Sequence, residues 1–310
     1  MPLRIGVIGV GYLGRHHARI YSELEGVELT AVADADPVQG AEIAGRYGCR
    51  FFMRYADLFP LCDAVSIVTP TTTHHEVAME CLAAGKDILL EKPITESIDE
   101  ADALIEEAER RSRILQVGHL ERYNPGILAA AGMITQPRFV ESERISPFLG
   151  RGIDVDVTLD LMIHDIDIVL SIVQAKPVDI RAIGERVLTE KVDVAKAWLE
   201  FENGCKALIT ASRLSPEKQR RLRLFQRDSV VSVDYQSHEV RRYYKNGSDI
   251  ACETLNPENK EPLKEELKDF IRCVETRSRP RVSGLEARDA LRVALRINEI
   301  VDARWKSGLP

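Results

Sequence analysis

The sequence predicts an α/β protein with two domains: an N-terminal doubly wound domain on a parallel sheet, and a C-terminal α+β domain with a large, mainly antiparallel sheet. Strand and helix patterns alternate up to about residue 120, which is typical of a parallel sheet covered by helices. After about residue 137, short strand patterns separated by turn signals indicate antiparallel pairing. The predicted domains are residues 1–120 and 121–310, and the C-terminal helix can pack back on the first domain.

Length and composition limit the class of protein. With 310 residues, 45% of them hydrophobic and 29% charged, the chain is long enough for two cores. The net charge of -7 disfavours nucleic-acid binding. No apolar run approaches the length of a membrane span, and a strand from residue 3 leaves no room for a signal peptide. Six cysteines without a Cys-x-x-Cys pair favour reduced thiols in the cytoplasm and no metal site.

The N-terminal domain starts with a buried strand that ends in a Gly-x-Gly-x-x-Gly turn. Gly9 permits the tight turn, Gly11 lets a pyrophosphate approach the backbone, and Gly14 lets the following helix pack closely. The next strand pattern, 27–33, ends at Asp34, which can accept hydrogen bonds from an adenosine ribose. This pattern indicates a Rossmann dinucleotide site, with a purely structural turn as the alternative. The Asp34 carboxylate favours NAD over NADP because it repels a 2′-phosphate.

The remaining elements of this domain continue the alternation. Pro37 suits the first turn of a helix that reaches about residue 47. Further strands are predicted at 50–52, 64–68, 87–90 and 114–117, and helices at 74–84 and 97–112. Ligands of such sheets bind beyond the carboxyl ends of the strands, so the polar turns 69–75, 91–93 and 118–125 are the expected site.

Two of these turns carry specific expectations. The threonines before His74 are typical of a helix N-cap, which is compatible with a ligand site at the same place. In Glu91-Lys92-Pro93, the lysine stands at the end of a strand, where the nicotinamide ring of a cofactor would lie. An ordinary surface lysine is the alternative interpretation.

The second domain is predicted from its strand patterns and a central helix. Strands are predicted at 138–146, 178–187, 194–201, 206–212, 221–226, 229–234 and 239–244, and helices at 158–173, 264–275 and 284–306. Asn246-Gly247 after the last strand indicates a hairpin. On the helix 158–173, Asp160, His164 and Asp167 share one face and are either a hydrogen-bonded core cluster or a functional group.

The glycine turn, Thr69-Pro70 with His74, Glu91-Lys92-Pro93 and Asp160-x-x-x-His164 together resemble the glucose-fructose oxidoreductase/inositol dehydrogenase family (Gfo/Idh/MocA). The resemblance implies a nicotinamide-dependent dehydrogenase of sugars, inositols or related polyols, whose C-terminal sheet covers the cofactor and supports oligomers. The implied NAD contacts are Gly9, Gly11, Tyr12, Leu13, Gly14, Asp34, Thr69, Pro70, His74, Glu91 and Lys92.

Two further stretches, 118–125 and 160–167, are similar to the branch of this family that contains bacterial UDP-N-acetylglucosamine 3-dehydrogenases. The likeness implies oxidation of a secondary hydroxyl of a UDP-sugar in amino-sugar synthesis for lipid A or surface polysaccharide. The implied substrate contacts are Arg122, Tyr123, Asn124, Arg151, Asp160 and His164. Arg122, Arg144 and Arg151 are candidates for a diphosphate clamp, because guanidinium groups bind phosphate in a bidentate manner. For each of them taken alone, an ordinary salt-bridged arginine is the alternative interpretation.

The implied catalytic residues are Lys92, Asp160 and His164. His164 is the expected general base, Asp160 orients it, and Lys92 stabilises the developing alkoxide; a base role for Lys92 is the alternative. Because they come from both predicted domains, we expect Lys92 and His164 to line one cleft. The alternative functions are a dehydrogenase of free inositol or monosaccharide and a non-catalytic NAD(H)-binding sensor.

The second domain also predicts self-association. A sheet with about six strand patterns and few helices of its own leaves one face to be buried. We therefore expect a homodimer or homotetramer with sheets packed face to face.

Asp34 predicts that NADH binds more tightly than NADPH. The test measures the dissociation constants of both nucleotides for the wild type and for a variant carrying Asp34→Ser with Ala35→Arg. The two dissociation constants should differ less in the variant, because an arginine that can bind the 2′-phosphate replaces a repulsive carboxylate. Equal affinity of the wild type for both nucleotides would contradict this role of Asp34.

Overall fold

The structure is a computed structural model that describes residues 2–148, 150 and 155–307. Within these residues, strands β1 to β14 span Leu3–Ile8, Val27–Ala33, Arg50–Phe52, Ala64–Ile67, Asp87–Glu91, Leu115–Gly118, Phe139–Ile145, Pro177–Glu185, Val194–Phe201, Lys206–Ser212, Gln219–Phe225, Ser229–Asp234, Val240–Asn246 and Asp249–Leu255. Helices α1 to α8 span Gly14–Glu23, Pro37–Tyr47, His74–Ala83, Ile98–Arg110, Pro125–Ala130, Ile163–Val173, Pro262–Thr276 and Gly284–Ser307. None of the described helices is long and apolar enough to cross a membrane.

The chain divides into two compact units. Unit 1 contains the chain up to Leu120 together with Glu261–Arg288, and unit 2 contains Glu121–Lys260 together with the chain from Asp289. Helix α7 and the first turn of α8 therefore belong to the unit formed by the N-terminal part of the chain.

Unit 1 is built on a six-stranded sheet in the order β3-β2-β1-β4-β5-β6, in which every pair is parallel. This order confirms the predicted doubly wound Rossmann sheet. The central strands β1, β4 and β5 are mostly buried, as their runs of branched apolar residues predict for a sheet covered on both faces. The order of the strands reverses between β1 and β4, and ligands bind to such sheets at the carboxyl ends of the strands beside this switch point.

Helix α2 shows how local sequence fixes an element of this unit. The Asp36 carboxylate accepts hydrogen bonds from the backbone amides of Val38 and Gln39, at 2.9 and 3.2 Å, and the predicted Pro37 occupies the first helical position. The helix packs on β3 so closely that a Cβ on Gly40 would lie 2.0 Å from the ring of Phe51. The helix therefore needs a glycine at this point.

Unit 2 is built on an eight-stranded sheet in the order β14-β13-β12-β11-β7-β10-β9-β8. Only β7 and β10 pair in parallel among these described strands, which confirms the predicted, mainly antiparallel sheet. Its core is formed by inward side chains of the strands, such as Ile209 and Leu222, packed against Ile166 of α6 and Ile297 of α8.

Two elements of unit 2 differ from the sequence expectations. The Asn-Gly hairpin is present, with Asn246 paired to Asp249, but its second strand β14 was not predicted because the strand lies at the sheet edge and has no buried alternate face. The predicted helix 158–173 begins with a π-helical turn, Thr158–Met162, before the α-helix α6. Asp160 therefore lies in a π-turn rather than in a regular α-helix.

Gly40 and Gly45, both in α2, give a matched pair of substitutions. Gly40→Ala should destabilise the protein by about 1–3 kcal/mol, because the new methyl group displaces the Phe51 ring. Gly45→Ala should stabilise it by up to about 1 kcal/mol, because a Cβ there meets nothing within 4 Å and alanine favours the helix. Urea denaturation measures both changes. Equal effects of the two substitutions would contradict this packing of α2 on β3.

Candidate active site

The glycine turn between β1 and α1 forms the first part of the site. Gly9 has φ of 84°, and a Cβ there would lie 2.5 Å from the carbonyl oxygen of Val68. A Cβ on Gly14 would lie 1.9 Å from the carbonyl oxygen of Gly9. A Cβ on Gly11, by contrast, would meet only the Gln39 amide, at 3.9 Å. The outer glycines are therefore required by packing, whereas the backbone at Gly11 faces open space into which a ligand can approach.

The start of α1 and the end of β2 suit the phosphates and ribose of a dinucleotide. The first turn of α1 has no side-chain cap at Leu13 and no acidic residue, so its amides and positive dipole end favour an anion. The Asp34 carboxylate accepts hydrogen bonds from the amides of Val10 and Asp36, at 2.7 and 2.8 Å, and from Gln39 Nε2 at 3.3 Å. These bonds fix the carboxylate beside the glycine turn. The residues present therefore fit NAD.

The turn after β4 is held by His74. The ring is 1% exposed, and its Nδ1 lies 2.8 Å from the Pro93 carbonyl oxygen while its Nε2 lies 2.9 Å from the Thr69 carbonyl oxygen. His74 thus ties the turn at Thr69-Pro70 to the turn that follows Lys92. The expected threonine N-cap is absent: Thr73 makes no side-chain cap bond, and its hydroxyl lies 2.9 Å from both Thr69 Oγ1 and the Pro70 carbonyl oxygen.

In the Glu91-Lys92-Pro93 turn, the two charged residues differ in their exposure to solvent. Lys92 is partly exposed at the end of β5, whereas Glu91 is 5% exposed. Glu91 Oε2 accepts a hydrogen bond from the Lys92 backbone amide at 3.2 Å. The other carboxylate oxygen, Oε1, lies 3.3 Å from Nε2 of the buried His17. The Glu91 carboxylate therefore contacts both the Lys92 main chain and the imidazole of His17. Of the other expected cofactor contacts, Tyr12 is 64% exposed and Leu13 is partly buried.

Unit 2 contains Asp160 and His164, the two other catalytic residues that the resemblance implies. Both side chains are partly exposed, Asp160 in the π-turn and His164 in the first turn of α6. The Asp160 amide donates to the Asp156 carbonyl oxygen at 3.0 Å, and the Asp156 carboxylate accepts hydrogen bonds from the Val192 amide and Asn298 Nδ2. Residues from distant parts of the chain thus hold the π-turn that carries Asp160.

Arg122, which was expected to contact substrate, forms an ion pair with Asp167. Arg122 Nη1 lies 3.2 Å from Asp167 Oδ1, with side-chain exposures of 15% and 2%. Asp167 therefore holds the guanidinium group of Arg122 in place. Arg151, the other arginine expected to bind substrate, lies outside the described residues.

Arg144 corrects the expectation of a diphosphate clamp. Its side chain is 2% exposed, and its guanidinium bonds Asp165 at 2.5 Å and Glu121 at 2.8 Å. Arg220 reaches the same Glu121 oxygen at 3.3 Å. Burial alone would lower the pKa of Arg144, but Asp165 and Glu121 raise it above its usual value, so the charge is kept. Arg144 thus stabilises the interior of unit 2 and is not exposed to a ligand.

Asn124 and Tyr123 were expected to contact substrate, but both are buried. The Asn124 amide nitrogen donates to Glu121 Oε2 and to the Tyr235 carbonyl oxygen, at 3.1 and 3.0 Å, while its oxygen accepts from the Gly126 amide. Both amide hydrogens are therefore used inside the fold, and the geometry of Asn124 favours capping of α5 over a substrate contact.

Sequence reasoning overlooked the buried charges behind the site. Val140, Ser142 and Arg144 are the buried alternate positions of β7, so strand periodicity could have placed Arg144 on the core face. His17 similarly stands on the buried face of α1, four residues before the buried Tyr21. Their partners, Glu121 and Glu91, come from distant parts of the chain and carried no local signal.

Comparisons with known proteins cover both units. Residues 3–119 match the family described as "Oxidoreductase family, NAD-binding Rossmann fold", and residues 128–229 match the GFO/IDH/MocA C-terminal domain. The UDP-N-acetylglucosamine 3-dehydrogenase of Acidithiobacillus ferrooxidans is 39% identical over 309 residues, which cover 97% of this chain and 98% of that protein. A solved structure of that enzyme superposes with a TM-score of 0.93 at 38% identity, covering 98% of this chain and 99% of that chain. The scyllo-inositol 2-dehydrogenase (NAD(+)) of Bacillus subtilis is 31% identical, covering 69% of this chain and 68% of that protein.

Glu121 predicts a pH-dependent stability. Burial alone would raise its pKa, but Arg144 lowers it below its usual value. The stabilisation is therefore complete above the unfolded pKa of about 4.3 and is lost as the pH falls through the folded pKa. Glu121→Gln should destabilise the protein by about 3 kcal/mol at pH 7, because two arginines lose a buried partner.

Urea denaturation at pH 7 and at about pH 4 measures this effect, and the difference between wild type and variant should shrink at the lower pH. Glu141→Gln, which removes a surface pair with Arg223 in the same sheet, is the control and should cost less than about 1 kcal/mol at either pH. Equal costs for the two variants at pH 7 would rule out the buried network.

Proposed function

The chain belongs to the Gfo/Idh/MocA oxidoreductase family, and from that premise we propose that it is an NAD-dependent dehydrogenase acting on C3 of UDP-N-acetylglucosamine or a similar UDP-sugar. The observation that carries the proposal is the likeness to the Acidithiobacillus enzyme, which extends over nearly the whole of both chains. The likeness therefore includes unit 2, which contains the residues proposed to contact the sugar. The likeness to the Bacillus inositol dehydrogenase covers a smaller share of the chain.

The cofactor side of the proposal rests on unit 1. Bound NAD supplies a hydride acceptor. The open backbone at Gly11 and the uncapped start of α1 bind the diphosphate, and Asp34 accepts hydrogen bonds from the adenosine ribose. Thr69, Pro70, Glu91 and Lys92 stand at the ends of β4 and β5, where we propose that they border the nicotinamide half.

The proposed chemistry assigns three roles. Oxidation of a secondary alcohol removes the hydroxyl proton as the hydride leaves the carbon. His164 takes this proton as general base, and Asp160 orients the ring and stabilises its cation. Lys92 donates to the same oxygen and stabilises developing alkoxide character. Lys92 as the base, with His164 as the hydrogen-bond partner, remains the alternative assignment.

The diphosphate of a UDP-sugar requires cationic groups in unit 2. Arg122 is proposed for this role because it is partly exposed and its guanidinium is oriented by the buried Asp167. Arg151 is proposed as a second diphosphate ligand from its sequence position alone. The product would serve amino-sugar synthesis for lipid A or surface polysaccharide in the cytoplasm, where the six free thiols of this chain would stay reduced.

The outer face of the unit 2 sheet supports the proposal of a homodimer or homotetramer. Phe139 stacks between Trp198 and Phe225 on this face, with ring centroids 5.6 Å apart in both pairs. Beside them lies a groove of about 410 Å³ that is lined by arginines and acidic residues together: Arg221, Arg223, Arg241, Asp234 and Glu239. An aromatic surface with charges of both signs is suited to packing against a second copy of the same face. A monomer in sedimentation at micromolar concentration would contradict this assembly.

A screen of NAD reduction tests the function. UDP-N-acetylglucosamine and other UDP-sugars are compared with free sugars and inositols by their kcat/KM values. The proposal expects a clear preference for a UDP-sugar. A preference for free inositol would favour the inositol dehydrogenase, and NADH binding without turnover of any alcohol would favour a sensor.

Lys92 and His164 are the variants that test the chemistry. His164→Ala should lower kcat by roughly 10²–10⁴, the usual range for general acid–base groups, and leave NADH affinity nearly unchanged. Lys92→Met should also lower kcat severely, because it removes charge and donor from the reacting oxygen. Lys268→Met, a half-exposed lysine on α7 paired with Glu265, is the control and should retain full turnover. Normal turnover of a UDP-sugar by the Lys92 and His164 variants would contradict this mechanism.

A further inference from the structure

We propose that His17 and Glu91 form a buried positioning pair for Lys92. The inference rests on the proposed function, in which Lys92 touches the reacting hydroxyl. His17 has no role in the proposed hydride transfer, Glu91 is proposed only to border the nicotinamide half, and both side chains are removed from solvent.

His17, Glu91 and Lys92 are linked by two contacts of the Glu91 carboxylate. His17 Nε2 lies 3.3 Å from Glu91 Oε1, with side-chain exposures of 0% and 6%. The other carboxylate oxygen, Oε2, accepts a hydrogen bond from the Lys92 backbone amide at 3.2 Å. The carboxylate thus contacts the imidazole on one side and the main chain of the lysine on the other. A shift of Glu91 therefore shifts the point from which the Lys92 side chain starts.

The fold makes room for this carboxylate. Gly118 is the last residue of the neighbouring strand β6. A Cβ on Gly118 would lie 2.8 Å from all three atoms of the Glu91 carboxylate group. Burial of a carboxylate and an imidazole is costly, and an apolar pair of similar volume would serve packing at least as well. The Glu91 carboxylate of this pair bonds the main chain of the partly exposed Lys92 rather than a residue elsewhere in the core. This location favours a role in the site over a role in stability alone.

The pair also links the lysine to the helix that starts at the glycine turn. His17 is on α1, three residues after Gly14. One turn further along the same buried face, Tyr21 makes a separate contact with Ser66 of β4, at 2.7 Å. Burial, together with Glu266 of α7 and Glu91, holds the pKa of Tyr21 well above its usual value, so this hydroxyl stays neutral. Tyr21 therefore provides a matched control: a buried hydrogen bond of the same helix that does not contact Lys92.

The experiment compares three variants with the wild type. His17→Leu removes the imidazole, His17→Gln keeps an N–H donor, and Tyr21→Phe removes the bond to Ser66. We expect His17→Leu to lower kcat about 10- to 100-fold with little change in KM, because misplacement of a reacting group costs rate. His17→Gln should restore most of the lost kcat, and Tyr21→Phe should lose stability while kcat stays near the wild-type value.

Hydrogen exchange of the Lys92 backbone amide supplies a readout that needs no substrate. In His17→Leu this amide should exchange at least about tenfold faster, because its acceptor is no longer held, while in Tyr21→Phe it should exchange at the wild-type rate. Should His17→Leu fail to fold, Gly118→Ala replaces it, since its methyl group pushes the same carboxylate from the side of β6.

The two readouts separate this inference from the proposed function. Unchanged exchange at Lys92 in His17→Leu, or equal loss of kcat in Tyr21→Phe, overturns the positioning pair. Absence of UDP-sugar turnover in the wild type refutes the proposed function instead, and the exchange of the Lys92 amide then decides the pair by itself.

Discussion

The close contact of α1 with the glycine turn is the constraint on which the site depends. A Cβ at Gly14 would overlap the carbonyl oxygen of Gly9. The helix can therefore begin at this place only because residue 14 has no side chain. This contact directs the first-turn amides of α1 beyond the end of β1. It also sets the position of His17 one turn later, beside Glu91 at the end of β5. The cofactor site and the support of Lys92 therefore share one packing contact.

In both units, buried charged side chains contact the elements that carry the proposed catalytic residues. In unit 1, Glu91 contacts the main chain of Lys92. In unit 2, Asp165, which follows His164 in α6, bonds Arg144 and Ser142 in the interior. Buried ion pairs of this kind seldom add net stability but are strongly destabilising when one partner is removed. Within each unit, these contacts therefore hold the element that carries Lys92 or His164 in place.

The sequence was sufficient where the signal is local. Strand periodicity and turn residues predicted the parallel sheet, and the glycine spacing predicted the tight turn from β1 into α1, beside which Asp34 lies. It was insufficient where partners are distant along the chain: Arg144 looked like a phosphate ligand because Glu121 and Asp165 were not known to be its neighbours. The bonds of His74 to Thr69 and Pro93 likewise depend on two turns meeting in space. Asp160 could be placed on a helix, but no residue pattern indicated a π-turn.

The central claim is that a lysine from unit 1 and a histidine from unit 2 serve one transition state. A double-mutant cycle with Lys92→Met and His164→Ala tests it most directly, with kcat for the preferred UDP-sugar measured for both single variants and the double variant. Two groups acting on the same oxygen should be strongly coupled, so the loss of kcat in the double variant should fall well short of the product of the single losses. A loss equal to that product would mean that the two residues act independently, and it would contradict the account.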